Sequence, residues 1–300
     1  SWLTGFTGSA GICVVGKDRA GIFVDGRYSI QARKQTKSIF EIVQWGKKNF
    51  FQWIEKNIEK GTIGFDPWLH SYKEIISLSE AFAHSGISFA PSENLIDKVW
   101  LNRPAKTSSK AKNYPTELAG LSAKEKCQKI TENIKFKKAN SAVITLPDSI
   151  AWLLNLRGND VIHNPILHAF LIIDSKGNVK IFCNNLSLLN TISGLKGFVK
   201  VFPIENFETT LAELTGSVLM DETTAPFAAV KILQAKGSEP MMGEDPIILP
   251  KACKNPVEIE HARICHKRDA IHMCEFLSWL DTQNENEFDE IDVVIELENF

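Results

Sequence analysis

The 300 residues carry 34 Lys and Arg against 36 Asp and Glu, a net charge of −2, with 44% hydrophobic and 23% charged residues. That apolar fraction excludes a disordered, collagenous or coiled-coil chain, and the length suits roughly two domains of about 150 residues each. The near-neutral balance gives no electrostatic footprint for nucleic acid, and apolar runs such as residues 169–173 and 225–230 are too short to cross a bilayer.

Taken in chain order, residues 12–15 and 21–24 are short apolar strands around the turn Gly16-Lys17-Asp18-Arg19, a hairpin signal. Helix is expected over 28–36, strand over 39–44, helix over 50–59, and strand over 62–65 ending in Asp66-Pro67. Helix over 72–83 and strand over 86–89 follow. Residues 103–115, rich in Ser, Lys and Pro, read as a linker. An amphipathic helix over about 123–139 leads to a strand over 142–146. A second hairpin follows, 170–173 and 179–182 around Asp174-Ser175-Lys176-Gly177-Asn178. Strands near 199–202 and 217–220 and a helix over 225–234 extend this part to about residue 249. Asn255-Pro256-Val257-Glu258 has the N-cap, first-turn proline and early acid of a helix start, and that helix should run to about 281. A last helix is expected over 287–300.

The two halves repeat. Ser1-Trp2-Leu3-Thr4-Gly5-Phe6-Thr7-Gly8 aligns with Ala151-Trp152-Leu153-Leu154-Asn155-Leu156-Arg157-Gly158 at an offset of 150, and a strand–turn–strand unit follows each. Tandem α/β domains with helices on mixed sheets are therefore expected. A helix and a strand precede Ala151 but nothing precedes Ser1, so the chain is expected to be a fragment lacking about forty N-terminal residues. The final helix without a C-cap is read as a second truncation.

Candidate chemistry is sparse. The glycines of Thr4-Gly5-Phe6-Thr7-Gly8-Ser9-Ala10-Gly11 lead into a strand, not a helix N-terminus, so they read as a tight turn and not as a phosphate cradle. His261, Cys265, Asp269 and His272 share one helix arc but lack a second donor cluster, and read as a partly buried face. His163 and His168 flank Pro165 as loop and strand-edge residues. The six cysteines form no CxxC pair and read as buried free thiols of a reducing cytoplasm. No Ser/His/Asp set, GxSxG elbow or paired carboxylates stand out. Asp25-Gly26-Arg27-Tyr28 is the unusual segment, because it puts a cation where the helix dipole disfavours it by about 0.3–1 kcal/mol. Either Asp25 caps the turn and accepts the guanidinium, or Arg27 points outward at a strand's carboxyl end to grip a carboxylate or peptide carbonyls.

Trp2-Leu3-Thr4-Gly5-Phe6-Thr7-Gly8-Ser9-Ala10-Gly11, Asp25-Gly26-Arg27-Tyr28 and Glu93-Asn94-Leu95-Ile96-Asp97-Lys98-Val99-Trp100 with Arg103-Pro104 resemble the N-terminal domain of Xaa-Pro aminopeptidases. In the second half, so do Ile150-Ala151-Trp152-Leu153-Leu154-Asn155-Leu156-Arg157-Gly158-Asn159-Asp160 and His163-Asn164-Pro165. The helix opening Lys254-Asn255-Pro256, with Glu258, Arg263, Arg268-Asp269 and Trp279-Leu280, resembles the start of that family's catalytic domain.

The likeness covers essentially the whole chain and fits the longer, three-domain form best. It implies two creatinase-like N-terminal domains, over residues 1–105 (lacking its first helix and strand) and 106–252, and the first helices of a pita-bread peptidase domain over 253–300. It further implies a cytoplasmic homodimer acting on peptides with proline second. Two divalent metal ions, usually manganese, would be held by two Asp, one His and two Glu. None of those ligand positions falls in this chain, so no metal ligand or catalytic residue is assigned. One role carries over: Arg27 matches the arginine of the family's Asp-Gly-Arg-Tyr motif, which contacts bound peptide. The second copy has Phe182-Cys183-Asn184-Asn185 at the comparable place, so its role is expected to be structural. Two competing readings keep the scaffold: a non-catalytic peptide- or protein-binding module, and prolidase- or creatinase-like chemistry.

Overall fold

A computed structural model describes residues 1–104, 110–184, 193–284 and 288–300. The chain divides into two compact units, Ser1–Lys106 with Glu222–Lys231, and Thr107–Asp221 with Ile232–Phe300. Each is mixed α/β, its sheet strands interleaved in sequence with helices.

In the first unit, β1 (Gly11–Val15) and β2 (Ala20–Val24) form the expected antiparallel hairpin, and β3 (Phe40–Gln44) joins β2 in parallel. A separate parallel pair is made by β4 (Gly61–Phe65) and β5 (Ile87–Pro91). Helix Lys47–Asn57 buries Phe50, Trp53 and Ile54 on one arc. Phe23 packs edge-on against Phe50 and Trp53, with ring centroids 4.8 and 5.5 Å away. Gly21 leaves the room this needs, since a Cβ there would lie 2.8 Å from the Trp53 ring. Segment Glu222–Lys231 belongs to this unit. The amides of Tyr72 and Lys73 donate to the carbonyls of Ala225 and Glu222, and Phe227 packs on Phe65 and Tyr72. Helix Phe227–Ala235 thus starts in the first unit, although sequence order places it with the second half.

The second unit contains β6 (Lys112–Asn113), β7 (Ser141–Ile144), β8 (Leu156–Arg157), β9 (Ala169–Asp174), β10 (Val179–Cys183), β11 (Val199–Phe202), β12 (Ser217–Met220) and β13 (Glu239–Met242). Six of them form one sheet in the order β11-β10-β9-β7-β12-β13. Helix Ala123–Phe136 begins at a capping box made by Ser122 and Glu125 and buries Cys127, Ile130 and Ile134.

Several short elements went unread in the sequence, β6 and β13 among them. The expected linker carries β6, which pairs with β8, while residues 105–109 of it lie outside the described residues. β13 contains Pro240, which argues against a strand. Its place at the sheet edge, beside β12 alone, is where a missing N–H is tolerated.

The repeat is visible in the backbone. Gly5 and Asn155, matched at the offset of 150, both take left-handed φ values, +82° and +51°. β1–β2 and β9–β10 are antiparallel, β2–β3 and β10–β11 parallel, and β4–β5 and β12–β13 parallel.

Candidate functional site

The Asp-Gly-Arg-Tyr segment follows β2, at the carboxyl end of the parallel pair β2–β3, where ligands of α/β sheets commonly bind. Asp25 caps a short 3-10 turn, Gly26–Tyr28, which runs into helix Ser29–Gln35. One carboxylate oxygen of Asp25 accepts two bonds from Arg27, from its amide at 3.0 Å and its Nε at 2.8 Å. The first alternative posed by the sequence, Asp25 capping the turn and accepting the guanidinium, is the one these bonds make. The cap accepts only Nε, and the side chain of Arg27 remains 73% exposed. Among the described residues its terminal nitrogens make no hydrogen bond, while the guanidinium carbon lies 5.5 Å from the centre of the Tyr28 ring. Hydrogen bonds from Arg27 hold the Asp25 carboxyl below the usual carboxylate range, and Asp25 in turn raises Arg27.

The glycine-rich motif meets the same place. Ser9 and Tyr28 share a hydroxyl–hydroxyl bond of 2.7 Å, which lowers the Tyr28 phenol, and Phe6 packs edge-on to Tyr28. Gln35 accepts from the Thr7 amide at 3.0 Å. Trp2 stacks on Trp100 at 5.1 Å, which ties in the third quoted motif. Residues 1–11 thus form a turn braced on the Arg27 helix, as expected.

In the second unit the matching motif is locked by internal bonds. Lys126, 2% exposed, donates to Asn155 Oδ1 at 2.8 Å and to the Trp152 carbonyl at 3.0 Å, and lies 4.1 Å from the Trp152 ring. Burial lowers its ammonium to about 8. Arg157 stacks on Tyr114 and donates to the carbonyls of Ala151 and Leu156. The Trp152 indole donates to Glu258, which closes the capping box with Asn255 at the start of helix Pro256–Leu280. Tyr114, Trp152, Arg157 and Glu258 line a cavity of about 460 Å³. Lys126 and the Trp152–Glu258 bond were missed in the sequence. A signal for the lysine existed, because position 126 lies three residues after Ala123 and four before Ile130 on the apolar arc.

The His261 arc is not the partly buried face expected. Cys265, Asp269 and His272 are exposed and only His261 is half-buried, because the helix packs on its own unit mainly through its first turns. Among the described residues no three His, Cys, Asp or Glu side chains are placed to hold a metal ion. His163 lies in an exposed turn at φ +59°, and His168 precedes β9 with its amide bonded to Asp160. All six cysteines are free. Cys127 and Cys183 are buried and Cys13 half-buried, but Cys253, Cys265 and Cys274 are exposed, contrary to the buried-thiol reading. Asn184 closes β10 without an arginine, and Asn185 lies outside the described residues. No helix among the described residues is long and apolar enough to cross a membrane.

Comparison with known proteins gives two matches to the creatinase/prolidase N-terminal domain, over residues 1–99 and 102–258. The chain belongs to this family. "Probable Xaa-Pro aminopeptidase P" of Ajellomyces dermatitidis is 34% identical over 303 residues, covering 94% of this chain and 49% of that protein. Its counterpart in Phaeosphaeria nodorum is 32% identical over 321 residues, covering 99% and 49%. The X-prolyl aminopeptidase of Caenorhabditis elegans, described as a cytosolic enzyme with a di-nuclear active site, superimposes with a TM-score of 0.88 at 26% identity, covering 99% of this chain and 51% of that one. The chain spans about half the length of the relatives it matches.

Proposed function

We propose that this chain is the N-terminal portion of an Xaa-Pro aminopeptidase, a hydrolase that removes the first residue from peptides with proline second. In this reading residues 1–105 and 106–252 are its two creatinase-like domains, and 253–300 begin the pita-bread peptidase domain. The whole enzyme is a cytoplasmic homodimer, and its two divalent metal ions, manganese by preference, are held outside this chain. Among the described residues no three His, Cys, Asp or Glu side chains are placed to hold a metal ion, so no metal ligand is assigned to them. The role we assign to the first domain is capping the substrate cleft and orienting the peptide there through Arg27. The supporting observation is the half-engaged guanidinium: Asp25 accepts from Nε, the side chain is 73% exposed, and the terminal nitrogens, which make no hydrogen bond among the described residues, are of the kind that grips a carboxylate or peptide oxygen.

The test uses the longer protein that carries this chain. Charge-assisted hydrogen bonds contribute about 1.5–3 kcal/mol, so Arg27→Ala should lower kcat/KM for a tripeptide with proline second by about 10- to 150-fold. Thermal melting and metal content should stay unchanged, and Arg27→Lys should recover part of the loss. Unchanged kcat/KM would remove Arg27 from the substrate. Cleavage of an X-Pro dipeptide in preference to the tripeptide would replace the aminopeptidase reading with a prolidase-like one.

A further inference from the structure

We propose that Asp245 is held as a neutral carboxylic acid whose hydroxyl donates a hydrogen bond to the buried Asp221 carboxylate, making a pH-sensitive latch at the carboxyl end of β12–β13. The inference concerns two side chains of the second unit and stands whether or not the peptidase reading holds.

The first observation is an internal comparison. The parallel pairs β4–β5 and β12–β13 end in the same way: Phe65 opposes Pro91 and Met220 opposes Met242. The next amide, that of Ser92 or Gly243, then donates to the carbonyl of Phe65 or Met220 at 2.9 Å. Counting on from there matches Asp66 with Asp221 and Asn94 with Asp245. Asn94 and Asp245 make the same turn, since Asn94 Oδ1 accepts from the Ile96 amide at 3.0 Å and Asp245 Oδ1 from the Ile247 amide at 2.8 Å. In the first unit the other branch of Asn94 is a donor, and its Nδ2 bonds to Asp66 Oδ2 at 3.0 Å. In the second unit that branch is an oxygen, Asp245 Oδ2, and the residue matched to its acceptor is again an aspartate, Asp221.

The second observation is burial. Asp245 is 5% exposed and Asp221 8%, and Asp221 Oδ2 accepts from the Asp245 amide at 3.1 Å, so the two carboxyl groups are neighbours out of water. Besides Asp221, Asp245 is faced by the Ser149 hydroxyl on helix Pro147–Leu153 and by Lys251 on helix Ile248–Ala252, whose ammonium is paired with Asp148. Ser149 Oγ stands near enough to favour the ionised form, but neither it nor Asp245 Oδ2 makes a bond of hydrogen-bond geometry. Burial and then the Asp221 charge push the Asp245 carboxyl up, against the Ile247 amide, Ser149 and Lys251, and the upward influences win. One proton on Oδ2 turns that branch into the donor that Asn94 supplies with its amide, and leaves the pair with one negative charge instead of two.

The third observation is what the pair holds. Ile247 is fully buried in the core of the second unit, and helix Ile248–Ala252 follows it. Asp221 accepts from the Asp245 amide and Asp245 from the Ile247 amide, so residues 245–247 are tied to the end of β12. An acid raised in the folded chain takes up a proton on folding between the ordinary value of 3.8 and its raised value. The stability it contributes is complete below 3.8 and is lost as pH rises through the raised value.

The experiment uses the 300-residue chain, as wild type, Asp245→Asn and Asp221→Asn, with carbon-13 in the side-chain carboxyl of aspartate. Infrared spectroscopy from about pH 4 to about pH 8 follows the C=O stretch of protonated aspartic acid. At about pH 5.5, where ordinary aspartates are ionised, the wild type should keep one such band and Asp245→Asn should lack it. Asp221→Asn, which removes the neighbouring charge, should move the loss of the band to lower pH. Urea unfolding should give the wild type and Asp245→Asn matching stabilities near pH 4. The variant should then gain on the wild type by up to about ten-fold in folding constant per pH unit until the band is gone. A wild type with no aspartic-acid band at about pH 5.5, a band that survives in Asp245→Asn, or unfolding stabilities that stay parallel overturns the latch. Should Asp245→Asn fail to fold, a band whose pH of loss is unmoved by Asp221→Asn overturns it equally.

Discussion

Lys126 provides a test of the second unit that pH can read. Its ammonium is 2% exposed, and burial lowers its pKa from 10.5 to about 8. Below pH 8 the folded and unfolded chains are both protonated there, and the folded state carries the full cost of the desolvated charge. A displacement of about 2.5 in pKa corresponds to roughly 3 kcal/mol. Between pH 8 and 10.5 the unfolded chain binds the proton and the folded chain does not, so stability rises with pH across that window. Lys126→Met removes the charge and this slope together. Its own cost is mainly Asn155 Oδ1, left buried without its donor, at about 1–3 kcal/mol. The Trp152 carbonyl still receives a helix-end amide. The two effects nearly cancel at pH 7, where the variant should lie within about 2 kcal/mol of the wild type. By pH 10.5 the wild type has gained its roughly 3 kcal/mol and the variant should be clearly the weaker. Burial raises Cys13 to about 11 and Cys127 to about 12, which erodes stability above pH 9, but both chains share that loss and it drops out of the difference. Urea unfolding of both chains by circular dichroism from pH 7 to 10.5 makes the measurement. Stability curves that stay parallel over the window would show that Lys126 does not carry the buried charge described.

Gly5→Ala should destabilise the first unit by more than about 2 kcal/mol, because it combines a left-handed φ costing about 1–2 kcal/mol with a Cβ 2.5 Å from the Gln35 carbonyl oxygen; an unchanged melting temperature would contradict this. Asn255→Ala removes the cap that accepts from the Glu258 amide and donates to the Ala119 carbonyl, and should cost about 1 kcal/mol while opening the start of helix Pro256–Leu280 to proteolysis. In the 300-residue chain a thiol reagent should label Cys253, Cys265 and Cys274 within the mixing time and Cys127 and Cys183 only on unfolding. Rapid native labelling of Cys127 would mean that helix Ala123–Phe136 is not packed as described.

What was legible in the sequence follows from what each signal measures. Hairpins around Gly16-Lys17-Asp18-Arg19 and Asp174-Ser175-Lys176-Gly177-Asn178, and helices opened by Ser122 and Asn255, depend on residues close in sequence, and they stand where periodicity and capping chemistry put them. The Trp152–Glu258 bond joins residues 106 apart, and the docking of Glu222–Lys231 on the first unit joins residues some 150 apart, so no local window contains both partners. β13 was hidden for a different reason: Pro240 argues against a central strand, and only the sheet order reveals that the strand is an edge. At the candidate site the residue types alone left two uses for Arg27, cap partner or outward donor, as though they excluded each other. They need not, because the Asp25 bond uses Nε alone and the terminal nitrogens are other donors of the same planar group. The same carboxylate oxygen that offsets the arginine's poor place beside a helix start also fixes the direction in which the rest of the fork is presented.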